Sequence, residues 1–332
     1  MRKRALATVG SGRIQFRRKA DRHGAIVIFP VAPDFQSNAR AACALSGALA
    51  RGDPRMSIAQ KAAWIIERNM DEPLTLARLA EDCGVSRSHL AHAFATATGK
   101  SVVGYLRARR LSHAAEALAN GAPDILQVAL SAGYSSHEAF TRAFREQFGS
   151  TPEAVRERGT TEGLPLSPAL DLDRFQPRSI PAARIVDEPR ILIVGMRGRF
   201  PAGPSTHGIP ALWQRFSPFM ESIPAINPGM PIGVTMDTDD ECGFDYIAAL
   251  EVTRFGDAPA ELTQLEIPAR TYAVFSHDRH IAKIPETYLA IWNEALSDTG
   301  RKAAEAPVLE RHKPAFNPRT GEGGVEIWIP LE

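Results

Sequence analysis

The chain has 332 residues, 44% hydrophobic and 23% charged, a balance that excludes a disordered or low-complexity protein. No apolar run reaches the roughly 18 residues of a membrane span, and Cys43, Cys83 and Cys242 form no CxxC pair and no metal-ligand spacing, so a reduced, cytoplasmic protein is the simple reading. The net charge of +1 is uneven, with eleven basic against three acidic residues over 1–55, twelve against eleven over 56–160 and fourteen against twenty-one over 180–332, so the segments are expected to meet different partners.

Residues 1–55 carry Arg2, Lys3, Arg4, Arg13, Arg17, Arg18, Lys19 and Arg22 and then a short apolar stretch, Ala25–Val31, too short for a secretory signal core. They read as a disordered basic extension; a basic arm on phosphate backbone is the alternative. From Ser57 the pattern is helical, with Ile58, Ala62, Ile65 and Ile66 at three- and four-residue spacing, and it continues to about Arg158. The middle of the chain is nearly neutral, so any case for nucleic acid rests on motif and geometry.

Two stretches there look alike. Leu76-Ala-Arg-Leu-Ala-Glu-Asp-Cys-Gly-Val-Ser86 and Ile125-Leu-Gln-Val-Ala-Leu-Ser-Ala-Gly-Tyr-Ser135 each place an alanine four residues before a glycine and a serine two after it. Steeply crossing helices need a small contact residue, hence Ala80 and Ala129. A tight turn needs a left-handed residue, hence Gly84 and Gly133. The next helix needs an N-cap, hence Ser86 and Ser135, the latter in a capping box with Glu138. In the following helices Leu90 and Phe94, then Phe140 and Phe144, are expected to face inward. Arg87, Ser88, Ala91 and His92 are left outward on the first, and Ser136, His137, Thr141, Arg142 and Arg145 on the second. A second helix with small polar and basic residues outward suits a major groove. The chain therefore reads as two helix-turn-helix units in tandem.

The segment Gly133-Tyr-Ser-Ser-His-Glu-Ala-Phe-Thr-Arg-Ala-Phe-Arg-Glu-Gln-Phe-Gly-Ser-Thr-Pro152, with Tyr105-Leu-Arg-Ala-Arg-Arg-Leu111 upstream, resembles the DNA-binding domain of the AraC/XylS family of regulators. The resemblance implies a long helix over about Val102 to Ala119 joining the units, and two recognition helices entering successive major grooves. It also implies an arginine near position 92, where this chain has His92. The second helix is therefore expected to carry more of the base contacts, the first mainly backbone contacts. Arg107, Arg109 and Arg110 are candidate phosphate contacts.

The segment Thr160–Pro181 reads as a linker. Beyond it lie short β-type runs, Ile191–Met196, Ile232–Met236, Tyr246–Val252, Thr271–Ser276, Val308–His312 and Val325–Ile329, around helices over Ile209–Glu221 and Ile281–Leu296. They divide into two strand-helix-strand-strand repeats, with Ile209-Pro-Ala-Leu-Trp213 beside Ile284-Pro-Glu-Thr-Tyr288. The fold class is thus multidomain: an all-α tandem helix-turn-helix domain followed by an α+β domain of two repeats. A cleft between the repeats suits a small molecule. Its candidate lining is Trp213, Phe216, Phe244, Tyr246, Trp292 and Trp328 with the carboxylates Glu310 and Glu326, a set suited to an aromatic compound or an organic cation.

Three segments, Leu265-Glu-Ile-Pro-Ala-Arg-Thr-Tyr-Ala-Val-Phe-Ser-His277, Thr287-Tyr-Leu-Ala-Ile-Trp292 and Asn317-Pro-Arg-Thr-Gly-Glu-Gly-Gly-Val-Glu-Ile-Trp-Ile-Pro330, are similar to the GyrI-like effector-binding domain. That resemblance implies a two-repeat pocket with a central glutamate, which maps onto Glu310. Asp278-Arg279-His280 stands where many relatives carry a Gly-Pro-Tyr-like turn. The chain is therefore expected to divide into a basic extension over 1–55, a DNA-binding domain over 56–159, a linker over 160–181 and an effector domain over 182–332. The expected partners are double-stranded promoter DNA, a small-molecule effector and, as a further contact open to such a regulator, RNA polymerase; no cofactor, metal or membrane is expected.

Two other readings stay open. The C-terminal domain as a ligand hydrolase would use Glu310 as base with His277, His280 and His312 nearby in sequence, although no Ser-His-Asp set, HExxH motif or phosphate-cradling loop is present. A protein-interaction module without a ligand is the other.

Overall fold

The computed structural model describes residues 15–20, 26–31, 56–70, 72–171, 177–201, 208–224, 226–227, 231–239 and 243–332. Residues 1–54 and 55–332 are separate units. In the first, strands β1 (Gln15–Ala20) and β2 (Ile26–Val31) pair antiparallel. This corrects the expected disorder for those twelve residues: Ile26-Val-Ile-Phe is strand-forming sequence. The rest of that expectation lies outside the described residues.

The second unit begins with seven helices: α1 (Ile58–Arg68), α2 (Leu76–Cys83), α3 (Arg87–Thr98), α4 (Val102–Ala119), α5 (Ile125–Ser131), α6 (His137–Phe148) and α7 (Pro152–Arg158). Each starts on a side chain that accepts an otherwise unpaired backbone N–H: Ser57, Thr75, Ser86, Ser101, Asp124, Ser136 and Thr151. Ser57 and Gln60 form a reciprocal capping box. The cap of α6 is Ser136, whose Oγ accepts from the Ala139 amide at 3.2 Å, and not the expected Ser135. The adjacent serines compete, and the turn after Gly133 runs one residue longer than the spacing implies.

The two turns match. Gly84 and Gly133 have φ of 77° and 84°, and in each unit the following amide bonds back to the contact alanine, Val85 to Ala80 and Tyr134 to Ala129, both at 3.0 Å. Each unit has its own core. Leu79, Ala80, Leu90 and Phe94 close the first; Ala129, Phe140, Phe144 and Phe148 close the second. Helix α4 belongs to both, giving Val102, Tyr105 and Leu106 to one and Leu111, Ala115 and Leu118 to the other.

The expected linker is laid along α4. The Ser167 amide donates to Ser112 Oγ at 2.9 Å, and the Leu170 amide to Tyr105 Oη at 3.2 Å. Arg109 is buried, paired through two nitrogens with Glu67 at 2.8 Å and donating to the Ser167 carbonyl at 2.6 Å. Arg110 donates to the Met70 and Glu72 carbonyls and lies against Gly133, where a Cβ would stand 2.9 Å from its Nη1. Arg109 is therefore an internal strut rather than the expected phosphate contact, because the fold already uses its donors, whereas Arg110 is half-buried.

The remaining elements are β3 (Arg184–Glu188), β4 (Ile191–Phe200), α8 (Gly208–Phe216), β5 (Ile232–Met236), β6 (Phe244–Val252), β7 (Thr263–Ile267), β8 (Arg270–His277), α9 (Ile284–Ala290), β9 (Val308–His312) and β10 (Val325–Pro330). Helix α8 passes into a 3-10 turn at Ser217–Ser222, and α9 into a π turn at Ile291–Ala295. The eight strands form one antiparallel sheet in the order β3-β8-β10-β9-β5-β6-β4-β7. The repeats are β4-α8-β5-β6 and β8-α9-β9-β10, and they meet where β5 pairs β9. The strands β3 and β7, outside the expected set, each pair with the other repeat and tie the two halves together.

Side chains alternate across a strand, so the register assigns every one to a face. Val194, Tyr246, Ala248, Phe275 and Ile327 lie under the helices, with Leu212 and Phe216 of α8 and Ile291 and Trp292 of the π turn. Ile193, Val234, Ile247, Leu309 and Trp328 occupy the opposite face.

Candidate effector site and nucleic-acid interface

Glu310 stands at the seam between the repeats, across from Gly233 on β5 and Ile327 on β10. Its Oε1 accepts from Tyr288 Oη at 2.7 Å and its Oε2 from Tyr246 Oη at 2.8 Å. Trp213 Nε1 donates to Tyr246 Oη at 3.4 Å. Burial, reinforced by the Glu310 carboxylate, raises both phenols well above their ordinary range, so they remain protonated donors. Bonds of this charge-assisted kind contribute about 1.5–3 kcal/mol each. Among the described residues no arginine or lysine forms an ion pair with Glu310.

Gly233 makes room for this cluster. A Cβ there would stand 2.0 Å from Tyr246 Oη and 3.1 Å from Glu310 Oε2. The aromatic cluster continues through His312, whose ring lies 5.4 Å from Trp213 and 4.3 Å from Phe316, and through Phe200 and Phe244, 5.9 Å apart, with Phe200 edge-on to Tyr246. Trp213 and Tyr288 occupy equivalent positions on α8 and α9, so the internal repeat brings one aromatic to each side of the carboxylate. Tyr288 is absent from the sequence-derived lining, yet its alignment with Trp213 was the signal that identifies it.

Four expected lining residues lie elsewhere. Phe216 is fully buried in the core beneath Trp213. Glu326 and Trp328 are on the opposite face of the sheet from Glu310, because Glu310 pairs with Ile327 and its neighbours point away. There Arg184 binds Glu326 at 2.7 Å, and Trp328 lies beneath Arg311, itself held by Glu188 and Glu251. Trp292 faces the helical domain, its ring stacked on His92 at 4.6 Å and 15°.

The three histidines near Glu310 in sequence have separate structural uses. His277 is buried between Thr287 Oγ1 at 2.7 Å and the His280 carbonyl. His280 accepts from the Ala282 amide, and His312 Nδ1 donates to the Pro231 carbonyl at 2.8 Å.

The second helices of the two helix-turn-helix units differ. On α6, Arg142 and Arg145 are exposed, His137 pairs with Glu153 at 3.1 Å, and the hydroxyl of half-buried Thr141 has no hydrogen-bond partner. Ser136 is spent on its cap. On α3, Arg87 is exposed and reaches Glu305 at 3.3 Å, and Ser88 contacts Ser86. Ala91 is buried and His92 is covered by Trp292, which corrects their expected exposure. The effector domain docks on that side of the helix.

A helix-turn-helix domain model matches residues 79–158, and the model of the GyrI-like small molecule binding domain matches residues 181–332. The right origin-binding protein of Escherichia coli K12 is 26% identical over 81% of this chain and 95% of its own length. The regulatory protein SoxS of the same organism is 38% identical over 29% of this chain and 89% of its own. Among solved structures, SAV2435 bound to tetraphenylphosphonium overlaps 46% of this chain and 94% of its own at 17% identity, with a TM-score of 0.38. The chain belongs to the AraC family of DNA-binding transcription regulators and carries a GyrI-like small-molecule binding domain. No helix among the described residues is long and apolar enough to cross a membrane.

Proposed function

We propose that this regulator acts in the cytoplasm as a one-component, non-enzymatic switch whose DNA binding responds to an organic cation with aromatic surface held at Glu310. The observation that carries the reading is the carboxylate itself. It accepts from Tyr246 and Tyr288 and meets no basic partner among the described residues. A phenol donates a hydrogen bond but carries no positive charge, so the site keeps a formal negative charge for a ligand to match. The faces of Trp213, Tyr246 and Tyr288 add cation–π attraction of about 0.5–2 kcal/mol each.

DNA reading falls mainly to α6, with Arg142 and Arg145 at base edges and His137 and Thr141 beside them. Helix α3 contributes Arg87 and Ser88, chiefly to backbone. A promoter-bound chain of this kind also stands within reach of RNA polymerase. The test is a gel-shift titration, at one fixed salt concentration, with a duplex selected by the full chain from a random pool. Tetraphenylphosphonium is expected to change the Kd and neutral triphenylphosphine oxide to leave it unchanged. A selected duplex whose affinity neither compound alters contradicts effector control by cations.

A further inference from the structure

Helix α9 and the π turn that continues it serve two sites. Tyr288 on α9 donates to Glu310. Four residues on, about 6 Å along a helix axis, Trp292 and Asn293 enter the helical domain. Trp292 stacks on His92, and its carbonyl accepts from His89 Nε2 at 2.6 Å. The buried Asn293 side chain bridges both helices of the joint: its Oδ1 accepts from the Ala59 amide in the first turn of α1 at 3.0 Å, and its Nδ2 donates to the Ala93 carbonyl of α3 at 3.0 Å. Leu289, between the two sites, packs into the core of the first helix-turn-helix unit, while Ala93 lies in the core of the effector domain. The π turn at Ile291–Ala295 covers the joint, and a single π turn inside a helix is a frequent mark of a functional site.

We propose that α9 is the transmission element of this protein, carrying occupancy of the Glu310 site through Trp292 and Asn293 to α3, the reading helix of the first unit. The proposal rests on the reading of Glu310 as the effector site. A ligand that enters between Glu310 and Tyr288 displaces the hydroxyl and with it the helix that bears it. The joint has no slack to absorb that movement, because a ring stack, two backbone bonds to Asn293 and one from His89 all register α9 against α3. Binding at one site thereby favours one placement of α3 over another, and linkage makes the effect reciprocal. The joint also accounts for His92 at a position where the AraC resemblance implies arginine: the residue serves as a flat stacking partner for Trp292.

The experiment compares the full chain with Asn293→Leu and Trp292→Leu, the second removing the ring stack but keeping both Asn293 bonds should the first fail to fold. Tetraphenylphosphonium affinity is measured by calorimetry with and without the selected duplex. The wild type is expected to show a ratio of at least about fivefold, the lower end of ordinary coupling. Both variants are expected to bind the cation alone as the wild type does, while their ratio falls toward one. Variants that keep the wild-type ratio overturn the proposal, as does a wild type that binds both partners independently. A wild type that binds no cation removes the Glu310 reading, and the relay is then tested without ligand. Tyr288→Ala is expected to speed amide hydrogen exchange across α3 but not across α6; unchanged exchange in α3 overturns the relay.

Discussion

Gly233 lies directly across the sheet from Glu310, and the space a side chain would fill at Gly233 is taken by the Tyr246 hydroxyl. The carboxylate, the phenol and the missing Cβ form one arrangement. Gly233→Ala is expected to push Tyr246 off Glu310, because a ring tip moves more readily than sheet backbone. Overpacking of this kind destabilises by about 1–3 kcal/mol. Calorimetry should show cation affinity falling at least tenfold while far-UV circular dichroism stays native.

Arg142→Ala is expected to weaken specific DNA binding more than Arg87→Ala. Arg142 is exposed on the helix left open by the effector domain, whereas Arg87 is on the docked one and already reaches Glu305. Loss of a base contact should cost about 1–3 kcal/mol. Gel shifts on the selected duplex check the order; equal or reversed losses contradict it.

Arg109→Met removes the buried half of a partly buried ion pair and is expected to destabilise the helical domain by about 2–3 kcal/mol, less than a fully buried pair would lose, read by urea unfolding. The same pair sets a pH dependence. Burial raises the Glu67 carboxyl, but hydrogen bonds from Arg109 and Tyr105 outweigh it and hold it below 4.5. The folded carboxyl is the stronger acid, so its contribution is present above about pH 4.5 and lost as pH falls through the folded value. Unfolding midpoints in urea should drop there in the wild type and less in Glu67→Gln.

A second pH effect belongs to the joint. Burial, with a smaller push from neighbouring His89, lowers the His92 imidazole from 6.5 to about 4. Trp292 faces it from the π turn, and Arg87 on the same helix reaches Glu305 of the effector domain. The unfolded chain takes up the proton first, so the stability from neutral His92 is complete above about pH 6.5 and is lost as pH falls toward 4. His89 is shifted the same way and adds to it. Thermal unfolding between these limits should show a shallower slope for His92→Gln than for the wild type.

Much of this architecture is legible in the sequence because it rests on local rules. Gly84 and Gly133 mark left-handed turns, Ala80 and Ala129 mark close helix contacts, and Leu90, Phe94, Phe140 and Phe144 mark buried faces. What is not legible depends on partners far along the chain. Alternation within β10 puts Glu326 and Trp328 on one face, but only the pairing of Glu310 with Ile327 shows that it is the face away from Glu310. The choice between Tyr288 and Trp292 is of the same kind. Both are aromatics on one helix, and the domain docked against α9 decides which turns to the carboxylate and which to His92. Arg109 looks like a surface cation until Glu67 and Ser167 are brought around it. Ser135 and Ser136 are separated by a single bond of backbone, below what spacing resolves.

The most direct test of the account is calorimetric titration of tetraphenylphosphonium into the full-length wild type and into Glu310→Gln at one salt concentration. Gln keeps the size of the side chain and an acceptor for the tyrosines but removes the charge. The account predicts at least a tenfold loss of affinity, about 1.4 kcal/mol, with triphenylphosphine oxide binding weakly to both. Equal affinity of the two proteins for the cation would contradict it.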